Sequence, residues 1–454
     1  MRGQQRRYRT RARAGTALAA LLLLSACGGH SGPGGSTAGA SASGTATAST
    51  GPVALLAPGV KSYDPPLAFG RVPVALPAGA GAVVVDQSFP AHPALALFGT
   101  DVYLAGVDGL QMVDGRTGRM LGTVRPKGTV PGTARDVPHP ADPLVATVGA
   151  STLGLVLDAF VVTVPATGST PAGTGIELVA VDGSTHQTVW ASTLTDLPAW
   201  ASAPDAGGLT AAVVGSEGNT AVVSLTDGSH PGSTVAVDLM THRALWHKDG
   251  FAAAAVSGDT VVGTYAKDPQ DPGTERAVAG LGLTDGSRQW TGWDVQSHPV
   301  LAAAAPGEVV LAGTDYRSGD GFVYLVDAAT GARTVLPDSG QDSAACRFDG
   351  ATSLVCTGRD STGNHLYGLD AASGRLRWQL PDPAAGNAAG PVPLVTAVWH
   401  GVVYGSTGGR PLLLDARTGA ERAGTPGIAP VLVDATTALA PGKDDILAAF
   451  PATG

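Results

Sequence analysis

The chain has 454 residues, a formal net charge of −9, and many turn-forming residues, with 64 Gly and 33 Pro. Loss of residues 1–26 would remove six Arg and no acid, taking the net charge to −15. With no basic cluster elsewhere, so acidic a surface argues against nucleic acid as a partner. No 3.6-residue apolar periodicity is sustained, so the folded part is expected to be all-β, and a repeat fold of this length can form a single body.

Arg2, Arg6, Arg7, Arg9, Arg11 and Arg13 precede an apolar run from Ala17 to Leu24. A charged stretch followed by a short apolar one is the pattern of an export signal, too short to span a membrane. It ends in Leu24-Ser25-Ala26-Cys27, which resembles the lipobox of bacterial lipoproteins. That resemblance implies removal of residues 1–26, diacylation of Cys27, and a protein anchored by lipid on the outer face of the cell membrane. The alternative is ordinary secretion with a Cys beside an Ala cleavage site. The Arg6-Arg7 pair lacks the apolar residues that twin-arginine export requires just downstream. Residues 28–51 are almost wholly Gly, Ser, Thr and Ala, too polar and small to offset ordering entropy. Residues 27–60 are therefore expected to tether a domain spanning 61–454. Abundant Ala and Arg with little Lys suggest a GC-rich bacterial genome.

Beyond the tether a phrase recurs: an apolar strand, Asp-x-x-Thr/Ser-Gly, then a strand that often carries Trp. Its clearest copy is Leu366-Tyr367-Gly368-Leu369-Asp370-Ala371-Ala372-Ser373-Gly374-Arg375-Leu376-Arg377-Trp378. The anchor position is occupied by Asp114, Asp182, Asp238, Gly282, Asp327, Asp370 and Asp415, at spacings of 68, 56, 44, 45, 43 and 45 residues. A period of about 40–50 residues suits one four-stranded propeller blade. In the turn, Asp and Thr side chains bond the local backbone, and Gly is expected at the one offset that needs positive φ. Runs such as Ala252–Ala255 and Ala302–Ala305 open other repeats, and their small side chains suit crowded strands near an axis.

The chain ends decide the blade count. Residues 446–454 read as an eighth third-strand that stops at its Thr-Gly turn, with no fourth strand after it. Residues 70–77 align with 374–381, so they are expected to complete the last blade and leave no open edge. Eight blades follow; seven result if 430–454 only patches the first blade.

The repeat resembles that of PQQ-binding-like, or quinoprotein-type, β-propellers, whose docking motif reads Ala-x-Asp-x-x-Thr-Gly-x-x-x-Trp. Here Trp190, Trp246, Trp290 and Trp378 hold the Trp position, and Gly122, Val335 and Ala423 replace it. In that family the Trp packs between neighbouring blades, so these Trp and the anchor Asp residues are expected to be structural. Quinone-dependent dehydrogenases of this fold carry an adjacent Cys-Cys disulfide, a calcium site and a catalytic Asp. This chain has only Cys27, Cys346 and Cys356, none adjacent, and no Cys-x-x-Cys-His. No catalytic, cofactor-binding or metal-binding residue carries over, so a quinone- or metal-dependent oxidoreductase is the lesser reading. Asp268, Asp271, Asp315 and Asp320 lie in Gly- or Pro-containing loops, where solvated turn acids are the simpler explanation.

Cys346 and Cys356 flank the hairpin signal Asp349-Gly350 and are symmetric about position 351, which places them opposite each other on adjacent strands. In an oxidising compartment this pair is expected to form a disulfide. The longest loops, 126–143, 165–174, 266–276 and 381–391, are the expected contact regions. The sequence thus points to a monomeric, surface-tethered, non-catalytic propeller, without cofactor, that binds another envelope protein or macromolecule.

Overall fold

Short runs rich in Val, Ala, Leu and Thr, punctuated by Gly and Asp turns, fold into thirty β-strands among the described residues. The structure is a computed structural model that describes residues 54, 56, 58–77, 81–83, 88–106, 108–131, 141–148, 154–168, 171–203, 208–268, 275–314, 321–336, 345–360, 363–382 and 391–454. Cys27, most of the tether, and Asp271, Asp315 and Asp320 lie outside the described residues.

The strands form eight antiparallel blades in chain order. Blade 1 is Leu95–Phe98, Asp101–Gly106, Gly109–Asp114 and Met120–Val124; blade 2 is Leu144–Thr147, Gly154–Val164, Gly173–Asp182 and Thr188–Leu194. Blade 3 is Thr210–Glu217, Thr220–Thr226, Ser233–Asp238 and Arg243–Asp249; blade 4 begins Phe251–Ser257, Thr260–Ala266 and Glu275–Gly282. The 18-residue strand Arg288–Ala305 is both the last strand of blade 4 and the first of blade 5. Glu308–Thr314, Gly321–Asp327 and Arg333–Val335 complete blade 5, and blade 6 is Ala345–Phe348, Ser353–Asp360, Gly363–Asp370 and Leu376–Leu380. Blade 7 holds Leu394–Trp399, Val402–Thr407 and Arg410–Asp415, with its fourth strand reduced to the bridge Leu414–Glu421. Pro411 has no N–H to offer an added strand, which blunts that edge.

Blade 8 joins the two chain ends. Leu432–Val433, Thr437–Pro441 and Leu447–Pro451 supply three strands, and Val74–Ala75 pairs with Leu447–Pro451 as the fourth. Phe69 and Ala82 extend this edge by bridges to Ala452 and Ile446. The N–H groups of Leu67 and Ala68 donate to Gly454 O, and Tyr63 N–H donates to Ala435 O. The alignment of 70–77 with 374–381 places Val74 opposite Ala448. Instead Ala75 faces Ala448 and Val74 faces Ala449, one residue out of register. In blade 6 the covalent turn forces a bulge between Gly368 and Leu369. Gly454 and Gly70 are not joined, so packing of Phe69 and Val74 sets the register of blade 8.

First strands of successive blades lie against one another, which places them around the axis with fourth strands outermost. The buried apolar side chains form eight clusters, each shared by one pair of neighbouring blades. The cluster that includes Leu95, Val102, Leu439 and Leu447 joins blade 8 to blade 1 and closes the ring. The core therefore lies between blades rather than within any one of them. Cys346 and Cys356 pair directly across the first two strands of blade 6 and are disulfide-bonded, fully buried between blades 5 and 6.

Ring closure gives the first prediction. Among the described residues, deleting 28–60 removes Ala54 and Leu56, which lie against Gly99 at the edge of one cluster, and is expected to leave the unfolding midpoint nearly unchanged. Deleting 28–80 exposes Leu447–Pro451 as an edge and removes Phe69 from its cluster. The midpoint should then fall by about 10 °C or more, with aggregation. Equal melting of the two truncations in a thermal scan would refute the closure.

Candidate functional site

An Asp at the end of a third strand can accept from the N–H groups of the turn that follows it. Asp114 Oδ1 accepts from Arg116 N at 2.8 Å, Asp182 from Ser184 and Thr185, and Asp238 from Met240 and Thr241. Asp327, Asp370 and Asp415 accept from Thr330, Ser373 and Thr418, taking both N–H and hydroxyl donors. The backbone N–H of Thr241 and Met240 holds the Asp238 carboxyl below its usual range, and the Ser373 hydroxyl does the same for Asp370. Where the anchor is Gly282, Asp285 supplies the carboxylate instead. Its Oδ1 bonds Ser287 N and lies where a Cβ on residue 282 would stand.

The four motif Trp pack against the turn of the next blade. Nε1–H of Trp246, Trp290 and Trp378 donates to Leu283 O, Ala328 O and Ala416 O, at 2.7, 2.8 and 2.9 Å. In each case the acceptor directly follows the next anchor position. Their rings lie so close to Gly286, Gly331 and Gly419 that a Cβ there would clash, so these glycines answer a close approach as well as a positive φ. Gly is not the residue at this offset in every copy. His186 and His242 occupy it in blades 2 and 3, at φ of 62° and 59°. The rings explain the exchange. His242 stacks on Trp190 at 4.6 Å, and His186 Nε2 meets Asp101 Oδ2 of blade 1 at 2.7 Å.

Blades without the Trp use other residues, which the repeat pattern missed. In blade 1, where Gly122 replaces Trp, the Tyr103 hydroxyl donates to Gly183 O at 2.8 Å, the carbonyl that follows Asp182. In blade 7, where Ala423 replaces Trp, Tyr404 at the matching position of the second strand donates to Pro66 O at 2.7 Å. Burial raises both phenol pKa values, so both remain donors. In blade 5 Val335 replaces Trp and is exposed, and Leu325 fills the space beside Gly374. A Tyr two residues into the second strand, present in two of the three blades where Trp is missing, is the available signal.

None of these residues converge on a common centre; they are spread round one face of the ring. First-to-second and third-to-fourth turns all lie on this turn face. Second-to-third and inter-blade connections all lie on the opposite, loop face. The described ends of the four long loops, 126–143, 165–174, 266–276 and 381–391, are therefore all on the loop face. Residues 132–140, 169–170, 269–274 and 383–390 of them lie outside the described residues.

The loop face also holds a cavity of about 240 Å³ lined by Pro90, Ala91, His92, Asp142 and Arg347, among others. Asp142 leads into the first strand of blade 2, and Arg347 lies in the first strand of blade 6, four blades away round a ring of eight. Between them runs the segment that leaves blade 8. Val83 N–H donates to Asp445 O, Phe89 N–H to Val395 O, and Phe89 is buried between blades 6 and 7. The segment thus crosses the axis before entering blade 1, and the cavity is axial. His92 Nδ1–H donates to Pro93 O at 2.9 Å and lies 3.7 Å from Asp142 Oδ1, which accepts from Leu95 N at 3.0 Å. Arg347 Nη1 donates to Cys346 O at 3.0 Å, with the guanidinium 5.2 Å from the Phe89 ring centre. Burial lowers the Arg347 pKa, and Asp142 opposes that shift. Among the described residues, no three His, Cys, Asp or Glu side chains converge in a metal-binding group.

The strand topology and repeat define an eight-bladed β-propeller. No protein-family model matches the chain, and no curated protein matches it. Among solved structures, the computationally designed Ika8 protein aligns with 84% of this chain and the whole of its own, at 16% identity and a TM-score of 0.47. Quinohemoprotein alcohol dehydrogenase from Comamonas testosteroni aligns with 85% of this chain and 78% of its own, at 12% identity and a TM-score of 0.41. The C-terminal WD40 domain of Sif2 aligns with 85% of this chain and the whole of its own, at 9% identity and a TM-score of 0.42. These are distant likenesses, and no functional assignment rests on them.

Two acids titrate unusually high. Glu308 faces Asp327 across two strands, and burial first, then Asp327, raises its pKa to about 7. Burial likewise raises Asp434 to about 7. Both bind their proton more tightly when folded, so stability should fall as pH rises from 4.5 to 7. Glu308→Gln should remove part of that slope and raise stability above pH 7 by about 1 kcal/mol, allowing for solvent screening. Urea denaturation at pH 5 and pH 8 checks this; an unchanged slope would refute it. For the Cys346–Cys356 bridge, the Cys346→Ala, Cys356→Ala double variant should lose about 2–3 kcal/mol by loop closure, read from the urea midpoint.

Proposed function

We propose that this protein is a lipid-anchored, non-catalytic propeller that displays its loop face to another envelope protein or macromolecule. The observation that carries the reading is sidedness. The turn face is committed to Asp turns and blade docking, whereas every long connection and the axial cavity belong to the loop face. Binding regions concentrate on loops held by a rigid scaffold. The export signal, the lipobox and the Gly/Ser/Thr/Ala-rich stretch support a tether at Cys27 that holds the ring off an outer membrane surface. The motif Trp, the side chains best suited to grip a flat cofactor, are spent between blades, which supports a scaffold over a quinone-dependent oxidoreductase.

A photo-crosslinking residue at Thr167, exposed on the loop face, should capture a partner in the native envelope. The same residue at Ala372, exposed on the turn face, should not. Capture from Ala372 alone would overturn the assignment of faces. Cys27→Ser should release the protein from the membrane fraction or leave it unprocessed, and identical partitioning with a retained signal would refute the anchor. Ultraviolet–visible spectra with added PQQ and calcium test the oxidoreductase directly: a stoichiometric bound chromophore that reduces with alcohol would displace the scaffold reading.

A further inference from the structure

A charge placed once per repeat forms no run in the sequence, but a ring of repeats collects it on one face. At the third-to-fourth turn or the start of the fourth strand, blades 5, 6, 7, 8 and 1 each carry an exposed Arg: Arg333, Arg375, Arg417, Arg71 and Arg119. Among the described residues none of these forms an ion pair; Arg333 instead lies over the Trp293 and Tyr324 rings at 4.9 and 4.6 Å. The exposed carboxylates of the same arc, Asp64 and Glu421, pair with His400 and Arg410, and the anchors Asp370 and Asp415 pair with Arg377 and Arg422. Blades 3 and 4 differ, since exposed Glu217, Asp259 and Asp285 share the turn face there with Arg243 and Arg288. The turn of blade 2 holds no Lys or Arg. The positive arc therefore runs from blade 5 through blade 8 to blade 1.

Two further observations fall on this arc. Arg71, Arg119 and Arg375 are each followed by an exposed apolar residue, Val72, Met120 and Leu376, at 78%, 42% and 41% exposure. A cation beside an apolar side chain suits a lipid headgroup layer, which offers phosphates at its surface and acyl chains just beneath. The N-terminal end of the described chain also lies here. Ala54 and Leu56 lie against Gly99 of blade 1, Tyr63 N–H donates to Ala435 O of blade 8 at 2.7 Å, and Asp64 pairs with His400 of blade 7. All three partners belong to first-to-second turns, so the chain that follows Cys27 joins the ring on the turn face.

From their Gly/Ser/Thr/Ala composition, residues 28–53 have an expected reach of about 30 Å. A seven-residue strand such as Thr260–Ala266 separates the two faces by about 23 Å. An anchor at Cys27 thus brings the turn face to the bilayer without fixing it there, and the arginines supply the hold. The net negative charge of the chain does not prevent this, because at a Debye length of about 8 Å the bilayer senses only the face against it. We propose that the turn face of blades 5 to 8 and 1 docks on the anionic lipid headgroups of the membrane that carries the anchor, with the five arginines on headgroup phosphates. This deepens the anchored-scaffold reading, on which it rests, and directs the loop face away from the bilayer.

Vesicle co-sedimentation of the mature chain carrying Cys27→Ser, and so no acyl groups, tests the docking. In about 0.1 M salt it should bind vesicles of equal parts phosphatidylglycerol and phosphatidylcholine, ignore phosphatidylcholine alone, and be released by about 1 M salt. One Arg near an anionic surface strengthens binding about fivefold, so the combined Arg71→Gln, Arg119→Gln, Arg375→Gln variant should bind at least about tenfold more weakly. The loop-face set Arg125→Gln, Lys127→Gln, Lys443→Gln changes net charge equally and should shift binding less than about twofold. No binding to the anionic vesicles, or equal weakening by the two sets, would overturn the proposal. In the acylated chain reconstituted in the same vesicles, bilayer acceptors should quench a fluorophore at Ala372→Cys more than one at Thr167→Cys, and equal or reversed quenching would also overturn it. Should the native protein prove unacylated, the anchor fails while co-sedimentation still decides the docking.

Discussion

A blade of four short strands has two apolar faces and cannot bury either alone, so every blade depends on both neighbours. In this protein the dependence is plain: each of the eight apolar clusters is shared by two blades. An open ring would leave two such faces in water. The pairing of Val74–Ala75 with Leu447–Pro451 is therefore the contact on which all the others rest. It is reinforced on both sides, by Phe69 packing between blades 7 and 8 and by Val83 packing between blades 8 and 1. The His400 imidazole and the Asp64 carboxylate add a polar contact between the N-terminal segment and blade 7.

The same constraint explains why the docking motif varies without loss of the ring. Burying an indole of 150–250 Å² contributes about 4–6 kcal/mol, against about 1 kcal/mol net for its hydrogen bond. The apolar contact supplies most of the stabilisation, and the N–H sets orientation. Tyr103 and Tyr404 preserve both elements from a different strand, with a buried ring and a hydroxyl aimed at a carbonyl. Leu325 preserves only the apolar part. Polar links at the turns add specificity between blades. Asp349 is fully buried; its Oδ1 accepts from Ala351, Thr352 and Ser353, and its Oδ2 reaches Gly401 N of blade 7.

The fold was legible in the sequence because its signal is local and repeated. An Asp turn every 43–45 residues in the later repeats needs no knowledge of what lies across the ring. The closing strand was legible for the same reason, since 70–77 carries the residue pattern of a fourth strand. Its register was not, because the other blades set register through a covalent turn that blade 8 lacks. The Tyr substitutes were hidden because a Tyr in a strand is ordinary β chemistry until its partner carbonyl is known. His186 and His242 stand at the offset where the motif expects Gly, and only their ring partners, Asp101 and Trp190, show why an imidazole stands there. The disulfide was legible because symmetry about one hairpin suffices to place both sulfurs.

The axial cavity had no local signature, since His92, Asp142 and Arg347 are far apart in sequence and each is unremarkable in its own stretch. Their meeting follows from closure. Once residues 74–75 complete blade 8 at the rim, the chain must return to the axis to begin blade 1, and the loop face is the only side on which it can do so. Residues 81–83 and 88–94 lie on that crossing, anchored by Phe89, which packs between blades 6 and 7 beside the Arg347 guanidinium. The connection that seals the ring is thus also the wall of its cavity. A change that loosens one should be felt in the other, which couples closure of the ring to the face it presents.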